Sequence, residues 1–175
     1  MNATDERTKF LSIYLQDHVA GATAGSHRAM RLAHAEADSK DAAALATFAA
    51  DVAEDLDALL TLMNTLGVQP SQVKVGLASA AEKVGALKLN GRVVQRSPLS
   101  TVVELEAMQM AVRGKRSLWE TLRVAMQVPT PVDLDALIAR ADGQIEVLSA
   151  LHAGRAADTF SKQSSRPDGA RDANA

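Results

Sequence analysis

The chain has 175 residues, of which 47% are hydrophobic and only 3% aromatic, and its formal net charge is −2. It contains no cysteine, which excludes disulfides, thiolate metal ligands and cysteine nucleophiles. The near-neutral charge gives no reason to expect nucleic acid or anionic lipid as a partner. The polar N-terminus does not match a signal peptide, and no apolar run is long enough to span a membrane. We therefore expect a cytoplasmic protein with no transmembrane insertion.

Two long helices are predicted in the first part of the chain. Apolar residues recur at helical spacing over residues 4–37, which predicts the first helix. Ser39 is a suitable N-cap for the second helix, whose apolar residues recur from Leu45 to Leu66. Gly67 is a favourable residue just past a helix C-terminus, and Pro70 prevents continuation.

Residues 70–96 form a long connection, inside which spaced apolar residues suggest a shorter helix. This stretch is basic, with Lys83, Lys88, Arg92 and Arg96 among its cations and Glu82 as its single acid. A basic stretch can meet phosphate or an acidic partner, but this one has neither interleaved aromatics nor a glycine-rich phosphate loop. Nucleic acid is therefore disfavoured, and a solvated connection explains the pattern equally well.

Two more long helices follow the connection. Ser97-Pro98 is typical of an N-cap followed by proline in the first turn, and it opens a third helix that continues through Leu122. Thr130-Pro131 predicts the start of a fourth helix that carries apolar residues as far as Leu151. The sequence becomes polar after Gly154, so we predict a helical domain over residues 1–154 and a disordered tail over residues 155–175.

These elements predict an all-α, up-down four-helix bundle with a shorter helix in the crossover between the second and third long helices. This helix plan resembles the ferritin-like superfold, over about residues 4–154. In metal-binding members of that superfold, two helices each supply a glutamate and the other two each supply a Glu-x-x-His pair. No Glu-x-x-His occurs in this chain.

A few polar residues near the apolar stripes could still carry chemistry. One hypothesis is an unusual iron or manganese site, or a proton-transfer site, made from His18, Asp55, Glu104 and Glu106. The alternative is a structural polar layer, in which carboxylates pair with Arg113, Lys115 or Arg116, because buried charges need partners whether or not they have a function. His152 is interpreted as a cation at the C-terminal end of the last helix.

Gly21 and Gly25 lie four residues apart in the first helix, where each glycine costs about 1 kcal/mol relative to alanine. We expect a compensating interaction. Close approach of a neighbouring helix, inside the bundle or across a dimer, is the first interpretation. A small-molecule cavity beside the glycines is the second.

The sequence contains no recognisable reactive constellation, so the leading hypothesis is a non-enzymatic bundle that needs no cofactor. It would act through contacts with a protein partner or through self-association, as a homo-oligomer, most simply a dimer. The alternative is a divergent ferritin-like metal protein or oxidoreductase using His18 and carboxylates of the second and third helices. A third hypothesis is a ligand carrier whose cavity is lined by Tyr14, Met108, Met110 and Trp119.

Overall fold

A computed structural model describes residues 3–69, 97–126 and 130–161. Those residues form four helices and no strand: α1 (Ala3–Ala35), α2 (Ala42–Thr65), α3 (Pro98–Ala125) and α4 (Leu134–Ser161). The all-helical prediction is therefore confirmed over the described ranges. No helix in these ranges is both long enough and apolar enough to cross a membrane.

Local sequence signals fix several helix ends. At the end of α2, Gly67 adopts a positive φ of 67°, while Val68 N–H donates to Met63 and Gly67 N–H donates to Asn64. This is a Schellman arrangement, and it needs the left-handed conformation that glycine adopts without strain. At the start of α3, Ser97 Oγ accepts a hydrogen bond from Leu99 N–H, as predicted.

Two predicted boundaries of the last helix are wrong. The helix α4 begins at Leu134, and its cap is Asp133, whose Oδ1 accepts a hydrogen bond from Ala136 N–H. The helix also continues past Gly154 to Ser161, and Arg155 in this extension pairs with Glu36 and Asp41 in the connection between α1 and α2. Residues 155–161 are therefore helical, and the rest of the predicted tail lies outside the described residues.

The contacts between helices define their relative directions. Tyr14 near the start of α1 donates to Thr121 near the end of α3, and Thr101 near the start of α3 donates to Glu36 just after α1. On the other side, Arg155 late in α4 donates to Asp41 just before α2. Thus α1 and α3 are antiparallel, and so are α2 and α4. Each hairpin, α1–α2 and α3–α4, is antiparallel as well, which makes α2 parallel to α3.

The core consists of two apolar clusters, one toward each end of the bundle. One surrounds Trp119 and includes Leu15, Leu59 and Leu62. The other surrounds Phe48 and includes Leu32 and Leu105, among others. Between them lie the buried Asp55 on α2 and the partly buried Lys115 on α3, each one helical turn from residues of both clusters. The polar groups thus occupy the middle of the bundle.

Candidate functional site

A cavity of about 220 Å³ lies at the mid-length of the bundle between α1, α2 and α3, and it opens to solvent beside the exposed residues Asp17, Gly21 and Gly114. Most of its lining is apolar, and the larger apolar side chains that line it are Val52, Leu56, Leu59, Met108, Val112 and Trp119. Of the four lining residues that the sequence suggested for a ligand carrier, Met108 and Trp119 are in the lining. Tyr14 and Met110 are not among its lining residues, and Met110 is 69% exposed.

Glycines create part of this empty volume. Gly21 and Gly25 on α1 and Gly114 on α3 all line the cavity, and a Cβ built on any of them would meet no atom within 4 Å. The predicted close approach of another helix of the same chain to Gly21 and Gly25 is therefore corrected, because the space beside them is open. Packing of these glycines across a dimer stays a prediction.

A charged network forms the polar part of the cavity wall. The Lys115 ammonium, which lines the cavity, donates to Asp55 Oδ2 and to Gln144 Oε1 on α4, and Gln144 Nε2 donates to Asp55 Oδ2. Asp55 is 2% exposed, so this pairing provides the compensation that a buried carboxylate requires. The predicted pairing of a buried carboxylate with Lys115 is observed for Asp55.

Two buried side-chain polar atoms, Asp55 Oδ1 and Trp119 Nε1, have no hydrogen-bond partner among the described residues. Asp55 Oδ1 has electrostatic compensation, because Arg140 Nη1 lies 3.5 Å away. Trp119 Nε1 has none, although the indole is only 1% exposed. Buried donors are rarely left unpaired in native proteins, so this N–H is an unusual feature of the core.

Burial lowers the pKa of two ionisable groups in the lining. Desolvation lowers the pKa of Lys115, against the opposing effect of the neighbouring Asp55 carboxylate. Desolvation also lowers the pKa of His18, against a smaller opposing effect of Asp17. Both shifts mean that protonation of these side chains is harder in the folded protein than in water.

Of the four residues proposed for a metal site, His18 and Asp55 both line the cavity, whereas Glu104 and Glu106 do not. Asp55 pairs with Lys115, whereas Glu106 is exposed and contacts His152 Nε2 at 3.0 Å. The His18 ring packs edge-on against Tyr14, with ring centroids 4.5 Å apart, and Glu104 is half-buried elsewhere on α3. Among the residues that the structure describes, no three His, Asp or Glu side chains are grouped so that they could hold a metal ion. Binding of iron or manganese by this chain stays an untested prediction.

The predictions for His152 and for the basic connection have different outcomes. His152 pairs with Glu106, and α4 extends nine residues beyond it. Its interpretation as a cation at the end of the helix is therefore wrong. The basic residues Lys83, Lys88, Arg92 and Arg96 lie outside the described residues.

Sequence analysis missed Gln144 and Arg140, which complete the network around Asp55. Gln144 is 5% exposed and lies between Ala141 and Leu148, both fully buried, at spacings of three and four. That position on the apolar stripe was a usable signal of a buried amide. Arg140 gave no such signal, because its side chain is 34% exposed and its guanidinium meets Glu54 and Asp55 on another helix.

A second polar network lies at one end of the bundle and joins all four helices or the residues next to them. Arg155 on α4 donates to Glu36 Oε2 and to Asp41 Oδ2, both at 2.8 Å. Thr101 on α3 donates to Glu36 Oε1 at 2.7 Å. Unlike the mid-bundle network, this end network contains no buried polar atom without a partner.

Fold and site together define an all-α helical protein with a largely apolar cavity between three of its helices. Comparisons with protein-family models, with curated proteins and with solved structures found no match to this chain.

Proposed function

We propose that this protein binds a small, largely apolar molecule in the cavity between α1, α2 and α3, as a carrier or sensor. The observation that supports the proposal best is the cavity itself: about 220 Å³ of space in the middle of a bundle whose two apolar clusters are otherwise well buried. An engineered apolar cavity of about 150 Å³ is large enough to bind benzene. The volume here suits a somewhat larger compact molecule.

The glycines support the same proposal. A helix that retains Gly21 and Gly25 in its interior loses stability relative to one with larger residues, by about 1 kcal/mol for each glycine. Leucine at these positions would improve helix propensity and fill the adjacent space. Binding of a ligand explains why a helix keeps both glycines beside open volume.

The test is a calorimetric titration of the protein with cyclooctane, a compact apolar probe, with the emission of Trp119 as a second readout. Trp119 is the chain's only tryptophan and lines the cavity, so its emission reports occupancy directly. We expect saturable binding to the wild-type protein and at least tenfold weaker binding to Gly25→Leu, whose side chain occupies the cavity.

The matched control is Gly143→Leu. Gly143 is also a helical glycine with open space around its Cβ position, but it lies on α4 away from this cavity. Both variants should be as stable as the wild type or slightly more so, and Gly143→Leu should bind cyclooctane normally. Equal binding by Gly25→Leu and wild type would refute the cavity as the binding site.

Self-association is a second candidate, and the solvent face of α3 favours it. Leu99, Val103 and Met110 lie at helical spacings of four and seven on that face and are 48%, 49% and 69% exposed. Such a stripe is typical of a helix that packs against another chain. We propose a second copy of this chain as the partner.

The mass in solution tests this second candidate. Light scattering at increasing protein concentration should give a mass above one chain for the wild type and the mass of one chain for Met110→Lys. The control is Val147→Lys, which places the same charge on an exposed apolar position of a different helix, α4. A one-chain mass for the wild type at all concentrations would argue against association.

The ferritin-like arrangement is proposed on the helix directions alone. All neighbouring pairs are antiparallel and α2 runs parallel to α3, which is compatible with that plan. A crystal structure that traces residues 70–96 along the bundle would support it, and a different chain path would exclude it.

A further inference from the structure

We propose that the ligand of this cavity is an amine with a compact apolar body, which fills the cavity while its ammonium group lies at the opening beside the Asp17 carboxylate. The inference rests on the proposed ligand-binding function and adds the chemical class of the ligand. Its basis is a carboxylate placed where a largely apolar cavity meets solvent.

The opening of the cavity lies between α1 and α3. Asp17, Gly21 and Gly114 line the cavity and are exposed, so a ligand can pass beside them. A Cβ built on either glycine would meet no atom within 4 Å, so the gap between the two helices is open there. A polar group of a bound molecule can therefore reach Asp17 and remain in water, while the buried apolar side chains of the lining contact the rest of the molecule.

The charges of the lining favour a cation. Among the described residues, four ionisable side chains line the cavity: Asp17, His18, Asp55 and Lys115. The Lys115 ammonium donates to Asp55 Oδ2, so these two charges compensate each other. Burial lowers the pKa of His18 below 6.5, so its imidazole is uncharged at pH 7. The net charge of the lining is therefore negative, and it comes from Asp17.

The Asp17 carboxylate can attract an ammonium group without a competing ion pair, because no Lys or Arg of the described ranges pairs with it. An ammonium at the opening stays hydrated, and its attraction to Asp17 adds to the burial of the apolar body. A carboxylate in the same place would be repelled by Asp17, and the Lys115 ammonium is already bound to Asp55 and Gln144. Since Asp17 is exposed, water weakens the attraction, and we expect it to raise affinity by about two- to fivefold.

Three probes of similar size test the inference by calorimetric titration at pH 7 and low salt: cyclooctane, cyclooctylamine, which is protonated at this pH, and cyclooctanecarboxylate. We expect wild type to bind cyclooctylamine at least about threefold more tightly than the carboxylate, because attraction to Asp17 replaces repulsion. High salt should reduce this ratio, since screening weakens the interactions of exposed charges.

The variant Asp17→Asn removes the charge and keeps the size of the side chain. Its affinity for cyclooctylamine should fall by about two- to fivefold and its affinity for the carboxylate should rise, while cyclooctane binding stays unchanged and shows that the cavity is intact. The control is Asp57→Asn, the same substitution at an exposed residue of α2 that is not in the cavity lining. It changes the net charge of the protein equally and should leave all three affinities at their wild-type values.

The outcomes distinguish this inference from the function on which it rests. If the carboxylate binds wild type as tightly as cyclooctylamine does, or if Asp17→Asn and Asp57→Asn bind cyclooctylamine equally, the inference is overturned. The binding function then still stands if wild type binds cyclooctane more tightly than Gly25→Leu does. If none of the three probes binds wild type better than Gly25→Leu, the proposed binding function fails as well.

Discussion

The end network and the mid-bundle network contain similar residues but differ in completeness. At the end of the bundle, Arg155 and Thr101 satisfy the carboxylates of Glu36 and Asp41. In the middle, Lys115 and Gln144 satisfy one oxygen of Asp55, while Asp55 Oδ1 and Trp119 Nε1 have no hydrogen bond among the described residues. A completed network needs only a structural explanation. The incomplete one leaves buried polar atoms without hydrogen bonds in the middle of the bundle.

The two networks also differ in the solvent exposure of their side chains. Arg155, Glu36 and Asp41 have side chains that are 21%, 10% and 15% exposed, so water can replace a lost partner. Asp55 is 2% exposed, and its charge depends on protein groups alone. Removal of a partner should therefore cost more in the middle of the bundle than at its end.

The largest change in the free energy of unfolding is expected for Lys115→Met. This change keeps most of the side-chain volume but leaves the Asp55 carboxylate without its closest cation, and we expect a loss of about 3 kcal/mol in the free energy of unfolding. Urea denaturation followed by circular dichroism measures it. The double variant Asp55→Asn/Lys115→Met should be more stable than Lys115→Met, because a neutral amide replaces the uncompensated charge. A double variant that is less stable than the single one would contradict the assignment.

A smaller change in the free energy of unfolding is expected for Arg155→Ala in the end network. The variant loses two charge-assisted hydrogen bonds, but water reaches the remaining carboxylates, so the free energy of unfolding should fall by about 2 kcal/mol. Affinity for cyclooctane should remain that of the wild type, because none of these residues lines the cavity. Weaker cyclooctane binding by Arg155→Ala would show that the two networks are coupled.

The smallest expected effect is the contribution of His18 to the pH dependence of folding stability. Burial lowers the pKa of His18 in the folded protein below 6.5, its value in the unfolded chain. As the pH falls through the interval between these two values, the unfolded chain binds a proton that the folded protein does not, so folding stability decreases.

The comparison is between wild type and His18→Gln, both unfolded in urea at several pH values between 7 and 5. Wild type should lose stability relative to the variant as the pH falls. Parallel stability curves over this range would mean that folding does not perturb the titration of His18.

Helix existence was predictable because helix formation depends on residues close together in sequence. Gly67 after α2 and Ser97-Pro98 before α3 are local signals, and the structure confirms both of them. The start of α4 was misplaced because Thr130 and Asp133 are both acceptable caps, and only the backbone geometry selected Asp133. Its end was misplaced because the contacts that hold Arg155 come from residues more than a hundred positions away in the chain.

The candidate site was only partly predictable. Sequence reasoning singled out Asp55 and offered Lys115 as a partner, and it suggested a cavity beside Gly21 and Gly25 as an alternative to close helix packing. It could not decide between those alternatives, because a glycine permits both a close backbone approach and an empty space. The mutual distance of α1 and α3 settles which of the two occurs within this chain.

The sequence by itself determined four amphipathic helices and a polar residue, Asp55, within an apolar stripe, because both follow from the 3.6-residue period. The tertiary structure alone decided which side chains meet across helices and where space remains between them. Helix packing brings Lys115 and Gln144 to Asp55 and leaves a cavity beside three glycines. These are properties of distances between separate helices, and no spacing along one helix specifies them.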